Sequence, residues 1–242
     1  MEKKVNIIGI KFNHISMKQA IDLVMGYLVT ANEKTHMICT PNPEIVMIAQ
    51  KEGRLKEIIN SSDLVVPDGI GIVKAAKILG NPLPERVAGY DLVQNVFRKI
   101  SKTVHTVYFL GGAPGVAEIA AKNMMEKHPG LKVIGYQDGY FSQDKEKTII
   151  EEINSLSPDL LLVGFGAPKQ EFWISDNKNK LKVKACIGVG GSFDVMSGQI
   201  KRAPKWMIKC NLEWFYRLIK QPTRIKRMIL LPIFMIKVIF NR

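Results

Sequence analysis

The chain runs to 242 residues, 46% apolar and 24% charged, which excludes a disordered or low-complexity protein and allows one large domain, or a domain with an appendage, around a core of useful size. Its formal charge is +13, and its three cysteines (Cys39, Cys186, Cys210) lie far apart with no CxxC pair, which excludes a disulfide framework and points to buried free thiols in a reducing compartment. The four histidines lack metal-ligand spacing, and the apolar stretch near the N-terminus is too short for a secretory leader, so a cytoplasmic protein is expected.

Short β-branched runs alternate with helical patterns along the chain. Val5–Ile10 reads as a first strand. Ser16 is placed to cap a helix over Met17–Val29, and His36–Cys39 reads as the next strand. Asn42, with Pro43 at the first helical position, opens a helix through Ala49. Leu64–Val66 is a strand candidate, followed by helices over Gly71–Leu79 and Tyr90–Ile100. Then come strand Thr106–Leu110, helix Pro114–Lys127, strand Lys132–Tyr136 and helix Gln143–Ser155. Strand Leu160–Val163, helix Gln170–Asn179 and strand Ala185–Val189 complete the alternation. Such an order predicts an α/β fold of Rossmann-like form, a mainly parallel sheet with helices on both faces. The composition changes near Ile200, which divides the chain into an expected core (1–200) and a C-terminal appendage (201–242).

Ligands of such sheets bind beyond the carboxyl ends of the strands. That rule nominates TPNPE (Thr40–Glu44), PDGIG (Pro67–Gly71), GGAPG (Gly111–Gly115), GFGAPKQE (Gly164–Glu171) and GGSFD (Gly190–Asp194). In GGAPG, Gly111, Gly112 and Gly115 would let backbone N–H groups approach a phosphate at a helix N-terminus. The spacing is neither Walker A nor GxGxxG, and a plain tight βα turn explains it equally well. Asp68, directly after an apolar strand, could act as a general base or simply close an Asx turn. Thr40 and Asn42 are neutral donors and acceptors that suit sugar hydroxyls or a uracil edge, although Asn42 also reads as a helix cap. Arg86 could clamp a phosphate or pair with Asp91 or Glu85. Gln170 could hydrogen-bond a ligand, while Glu171 favours the helix dipole.

Nine aspartates occur and none forms a DxD pair, the pattern by which sugar-nucleotide enzymes often hold a diphosphate through a metal. No metal and no cofactor is therefore expected, and a diphosphate would be neutralised by helix N-termini and arginines. From Lys201 to Arg242 there are eleven Lys or Arg and one acid, Glu213, while the first two hundred residues are nearly balanced. Trp206, Trp214, Phe215, Tyr216 and the run MILLPIFMI (228–236) are interleaved with these cations. The combination suits an anionic lipid surface, and the apolar run is short of the ~20 residues needed to span. Arg217, Arg224 and Arg227 are the candidates for an acceptor diphosphate, or they simply attract anionic lipid. Truncation near Ile200 is expected to leave a folded, soluble and nearly inactive core.

In this order the motifs resemble the WecG/TagA/CpsF glycosyltransferases of bacterial cell-envelope synthesis. The resemblance is carried by TPNPE, PDGIG, ERVAGYD, FLGGAPG, GFGAPKQEFW, GVGGSFDVMSGQIKRAPKW and LEWFYRLIKQPTRIKR, across residues 5–230. It is similar above all to the branch that makes the linkage unit of wall teichoic acid. That resemblance implies inverting, metal-independent transfer of N-acetylmannosamine from UDP-ManNAc to the 4-hydroxyl of GlcNAc on undecaprenyl diphosphate. It implies Asp68 as the base, Thr40, Asn42, Arg86 and Gln170 in the pocket, and Arg217, Arg224 and Arg227 in a tail that docks on the inner face of the membrane. The donor diphosphate is expected near Gly111–Gly115. One departure is Asn211, where the motif has a glycine before LEW.

UDP-ManNAc uronic acid is an alternative donor within the same family. From other classes, a dinucleotide-dependent oxidoreductase has the wrong glycine spacing. A basic surface binder of lipid or nucleic acid leaves five polar strand-end loops unused, so no nucleic-acid partner is expected. Self-association is left open.

Overall fold

The structure, a computed structural model, describes residues 3–30, 34–220, 222 and 225–240, without the side chains of Arg217, Lys226 and Arg227. A six-stranded parallel sheet forms its centre. The strands are β3 (His36–Cys39), β4 (Leu64–Val65), β5 (Thr106–Gly111), β6 (Lys132–Gln137), β7 (Leu160–Gly164) and β8 (Ala185–Gly188). Their order in space is β4-β3-β8-β7-β5-β6, and every pairing is parallel. The central strands read as unbroken apolar runs because both of their faces are covered. Tyr108, Leu110, Leu161, Val163 and Cys186 point to one apolar layer, and Val107, Phe109, Leu160, Leu162 and Ile187 to the other.

The first layer is closed by α2 (Pro43–Ala49), α3 (Gly53–Ser61), α4 (Ile70–Ile78), α7 (Gln143–Leu156) and α8 (Lys169–Asn177). The second is closed by α1 (Met17–Val29), α5 (Gly89–Ile100), α6 (Val116–Lys127) and α9 (Ser192–Met196). Local chemistry explains several of these boundaries. Ser16 and Gln19 form a reciprocal capping box at α1. Asn42 caps α2 by accepting the Ile45 N–H at 3.0 Å, with Pro43 at the first helical position.

Two expectations are corrected. Val5–Ile10 is not one strand but an antiparallel hairpin, β1 (Lys4–Ile7) and β2 (Ile10–Asn13), turned at Ile8–Gly9. Asn6 Oδ1 accepts the Gly9 N–H at 2.8 Å and closes that turn. The hairpin packs into the first layer, and Asn13 Oδ1 accepts the Val65 N–H of β4 at 2.9 Å. Cys39 and Cys186 are buried as expected, but Cys210 is exposed, because it ends a five-residue helix whose buried side chain is Met207. Burial pushes the Cys39 thiol up to about 12, helped by nearby Glu171, so it is inert at neutral pH.

After α9 the chain forms α10 (Lys205–Lys209), α11 (Glu213–Lys220), α12 (Ile225–Met228) and α13 (Leu230–Phe240). Asn211, between α10 and α11, has φ 59°, the left-handed region that glycine and asparagine tolerate. The glycine-to-asparagine departure thus preserves the turn. Asn211→Gly should change stability by no more than a few tenths of a kcal/mol, while a β-branched Asn211→Val should cost about 1–2 kcal/mol. Chemical denaturation of the two variants checks this.

Phe234 and Val238 of α13 are wholly buried in the first layer, against α2 and α4. On the other side of α13, Ile233, Ile236 and Phe240 are exposed. Among the described residues no helix is long and apolar enough to cross a membrane.

Candidate active site

The strand order fixes which loops meet. The connection from β5 runs outward to β6, and that from β7 runs the other way to β8, so a crevice opens where the two diverge. Thr40, Asp68, Arg86 and Gln170 gather over the ends of β4, β3 and β8. Gly111–Gly115 lies beyond β5, four inter-strand spacings from β4, or roughly 19 Å at the level of the sheet. The predicted residues therefore form two groups along one edge of the sheet rather than one cluster.

The first group is built around Asp68. It follows β4, and its Oδ2 accepts the N–H of Gly89, the first residue of α5, at 3.3 Å. Thr40 is packed just beneath. A Cβ on Gly89 would stand 2.9 Å from Thr40 Oγ1, so only glycine lets α5 start this close to β3. Thr40 Oγ1 donates to the Gly188 carbonyl at 3.4 Å and ties β3 to β8. Asp68 thus bonds across the fold, rather than closing a local Asx turn.

Arg86 lies beside it. Its Nε is 3.7 Å from Asp68 Oδ1, and its Nη2 donates to Glu213 Oε2 at 3.0 Å. Those carboxylates are its ion-pair partners, rather than Asp91 or Glu85, and Glu85 accepts the Met17 N–H instead. Burial works against the Arg86 charge, but Asp68, Glu213 and Asp91 outweigh it and hold the guanidinium more firmly protonated than a free arginine. Arg86 Nε is itself buried without a hydrogen-bond partner, so this corner is looser than a closed ion pair.

Gln170, at the start of α8, sits over the end of β8. Its Oε1 accepts the Gly190 N–H at 2.9 Å, and its Nε2 donates to Glu171 Oε1 at 2.8 Å. Glu171 is buried, and burial raises its pKa. It orients the Gln170 amide rather than only complementing a helix dipole. Asn42 lies against Gly69 of the Asp68 loop, with its side chain engaged in the α2 cap.

The second group is the glycine turn. Gly111 has φ 132°, and a Cβ there would stand 2.6 Å from the Gly164 carbonyl carbon, so β5 and β7 approach closely at the crevice. Gly112 donates to Gly164 and accepts from Gly139, which stitches three strand-end loops together. The turn leads into the twelve-residue α6, whose first N–H groups suit an anion.

Sequence reasoning missed Glu213 and Arg202. Arg202 grips Asp91 of α5 with two bonds of 2.7 Å, stacks 4.5 Å over the Tyr90 ring, and reaches Glu213 Oε1 with its Nε at 3.4 Å. The pairs are 111, 127 and 11 residues apart, so no local pattern announces them. Arg224 lies outside the described residues, as do the side chains of Arg217 and Arg227. The backbone places Arg217 one turn along α11 from Glu213. Among the described residues no three His, Cys, Asp or Glu side chains converge where they could share a metal ion.

A half-buried carboxylate flanked by an arginine, at strand ends that also present an anion-friendly turn, can take a proton from a hydroxyl while a diphosphate is held nearby. Comparison with known proteins finds glycosyltransferases. An N-acetylglucosaminyldiphosphoundecaprenol N-acetyl-beta-D-mannosaminyltransferase of Bacillus spizizenii (strain ATCC 23059 / NRRL B-14472 / W23) is 38% identical over 199 residues, 82% of this chain and 77% of the relative. Proteins of the same name from Bacillus subtilis (strain 168) and Staphylococcus aureus (strain MRSA252) are 38% and 34% identical, over 81% and 97% of this chain and 76% and 92% of their own lengths. The model described as the glycosyl transferase WecG/TagA/CpsF family matches residues 5–242. With strand-end motifs, parallel sheet and whole-length similarity in agreement, the chain belongs to the WecG/TagA/CpsF family of glycosyltransferases.

Proposed function

We propose that this protein transfers N-acetylmannosamine from UDP-ManNAc to the 4-hydroxyl of GlcNAc-diphospho-undecaprenol, giving the β1,4-linked disaccharide lipid of wall teichoic acid synthesis. The observation that carries the reading is the Asp68 carboxylate beside Arg86 at the strand-end cleft, in a chain whose relatives bear that enzyme's name. The donor lies across the strand ends, its nucleotide end over the β5–β7 crevice and the Gly111–Gly115 turn, its sugar reaching toward Thr40 and Gln170. Asp68 takes the proton of the acceptor hydroxyl as that oxygen attacks the anomeric carbon. The new C–O bond forms as the bond to UDP breaks, and attack from the opposite side inverts the centre. The N–H groups at the start of α6 take the charge that develops on the UDP diphosphate, while Arg86 stays beside Asp68 at the sugar end of the cleft.

Residues 1–200 are read as the catalytic core and 201–242 as a lipid-facing arm, whose last helix is seated on the core through Phe234 and Val238. Arg217, Arg224 and Arg227 hold the acceptor diphosphate, and the arm rests peripherally on the inner face of the membrane. The exposed Trp206, Ile233, Ile236 and Phe240 support that reading, since an amphipathic surface of this kind with basic flanks suits anionic lipid. Self-association would not alter this assignment.

The direct test is release of UDP from a panel of UDP-sugars with a prenyl-diphosphate-GlcNAc acceptor. Turnover with UDP-ManNAc and not with its uronic acid is expected. Turnover should also persist in excess EDTA, because arginines and backbone N–H groups carry the charge. A strict Mg²⁺ or Mn²⁺ requirement would contradict that assignment.

A further inference from the structure

The charged groups around Asp68 alternate in sign along a continuous chain: Asp68, Arg86, Glu213, Arg202, Asp91. Its two ends converge on one short segment. Asp91 stands two residues beyond Gly89, whose N–H is bonded to Asp68. Arg202 therefore holds the first turn of α5 through Asp91, and that turn supplies a donor to Asp68. Through Glu213, Arg202 also holds the partner of Arg86, and Arg86 is a cation that faces Asp68. The contacts are directional. The Arg202–Asp91 pair is a bidentate fork at 2.7 Å on both arms, and its guanidinium plane is stacked on Tyr90. Glu213 divides its two oxygens between the two arginines. It is buried, so both of its bonds form away from bulk water, where they hold geometry well.

Arg86 is consequently shared between two carboxylates. It makes a 3.0 Å hydrogen bond to Glu213 and stands at 3.7 Å from Asp68, with its Nε buried and unbonded. Whatever sets the strength of the Glu213 side of that sharing sets how closely the guanidinium approaches Asp68. Glu213 is also the first residue of α11, so the same contact fixes where that helix starts. The Arg217 backbone follows one turn later, about 6 Å along the helix axis.

We propose that Arg202 and Glu213 are positioning residues for the transfer step, acting on Asp68 through Arg86 and the first turn of α5, and tying the seat of α11 to the site. This rests on the reading of Asp68 as the base. Neither residue touches the reacting atoms. Their role is to hold Arg86 at the distance where Asp68 is oriented and still basic enough to accept a proton. The two therefore act in opposite directions. Without the Glu213 charge, Arg86 turns fully to Asp68 and weakens it as a base. Without Arg202, Glu213 draws Arg86 to itself, and the Arg86 charge acts less strongly on Asp68.

Steady-state UDP release by the full chain, with UDP-ManNAc and a prenyl-diphosphate-GlcNAc acceptor, tests this across pH for Glu213→Gln, Arg202→Ala, Arg202→Lys and the double variant E213Q/R202A. Melting temperature is followed in parallel. Each single variant should lower kcat by about ten- to a hundredfold, as a misplacement near 1 Å does. The acid limb of the kcat profile should move to lower pH in E213Q and to higher pH in R202A. The double variant should follow E213Q, since Arg202 acts on Arg86 through Glu213, and the two losses should not add. R202K should remain impaired because lysine lacks the fork. Wild-type kcat in both E213Q and R202A overturns the proposal. So do losses that add and merely track melting temperature with the acid limb unmoved. Asp68→Asn separates the two layers of the argument. If it turns over normally, the base reading falls and this inference with it. If it is inactive while E213Q and R202A match the wild type, this inference alone falls.

Discussion

Asp68→Asn should lower kcat by about 10²–10⁴-fold, the usual contribution of general-base assistance, with little change in melting temperature. The substitution keeps the shape of the side chain and an oxygen for the Gly89 N–H, and Asp68 lies at the surface end of its loop with its side chain about a quarter exposed. Little apolar packing depends on it. What is lost is the one carboxylate of that loop, together with the negative charge opposite Arg86. UDP-sugar binding, measured by titration calorimetry, should be retained within a fewfold, because the glycine turn and α6 are untouched. Turnover close to wild type would remove Asp68 from the role.

Phe234→Ala should destabilise the protein by about 3–5 kcal/mol, the range for a large aromatic truncated to alanine in a core. Phe234 has no exposed surface and sits between α2 and α4, near Gly71, where a Cβ would be 3.9 Å from its ring. Those helices flank the TPNPE and PDGIG loops, so the cavity would open directly behind Thr40 and Asp68. Urea denaturation should show the loss as a lower midpoint with an unchanged slope. Activity should fall further than the unfolded fraction accounts for. Truncation near Ile200 removes the same ring and uncovers the same socket, so any stable truncated core would need a substitute for it. A Phe234→Ala protein as stable as wild type would show that α13 contributes no packing to the core.

Several elements were readable directly from the chain because the signals are local. Ser16, and Asn42 with Pro43, mark helix starts at the residues where α1 and α2 begin. The strand-end motifs were readable for the same reason: each is a few consecutive residues after an apolar run. The hairpin was not, since its turn lies inside the apolar string NIIGI without polar punctuation. Helix α3 begins without a side-chain cap at Glu52, which removes the usual marker. Helix α13 is apolar apart from Lys237, so periodicity cannot tell its seated side from its exposed one. Arg86 stands out within ERVAGYD as a site candidate, but its partner Glu213 is 127 residues away, and only folding brings the two together. The roughly 19 Å between β4 and β5, the strands that lead to Asp68 and to the glycine turn, likewise follows from strand order, which sequence spacing does not encode.

The Asn13 carboxamide has a consequence for how copies of this protein meet. An open parallel sheet with a two-residue border strand offers unpaired amides to any passing strand. Here the Val65 amide is already occupied by Asn13, and the β1–β2 hairpin lies against that border. An incoming chain would have to evict a carboxamide before adding to β4. Edge-to-edge growth of the sheet at this border is thus opposed by a side chain already in place.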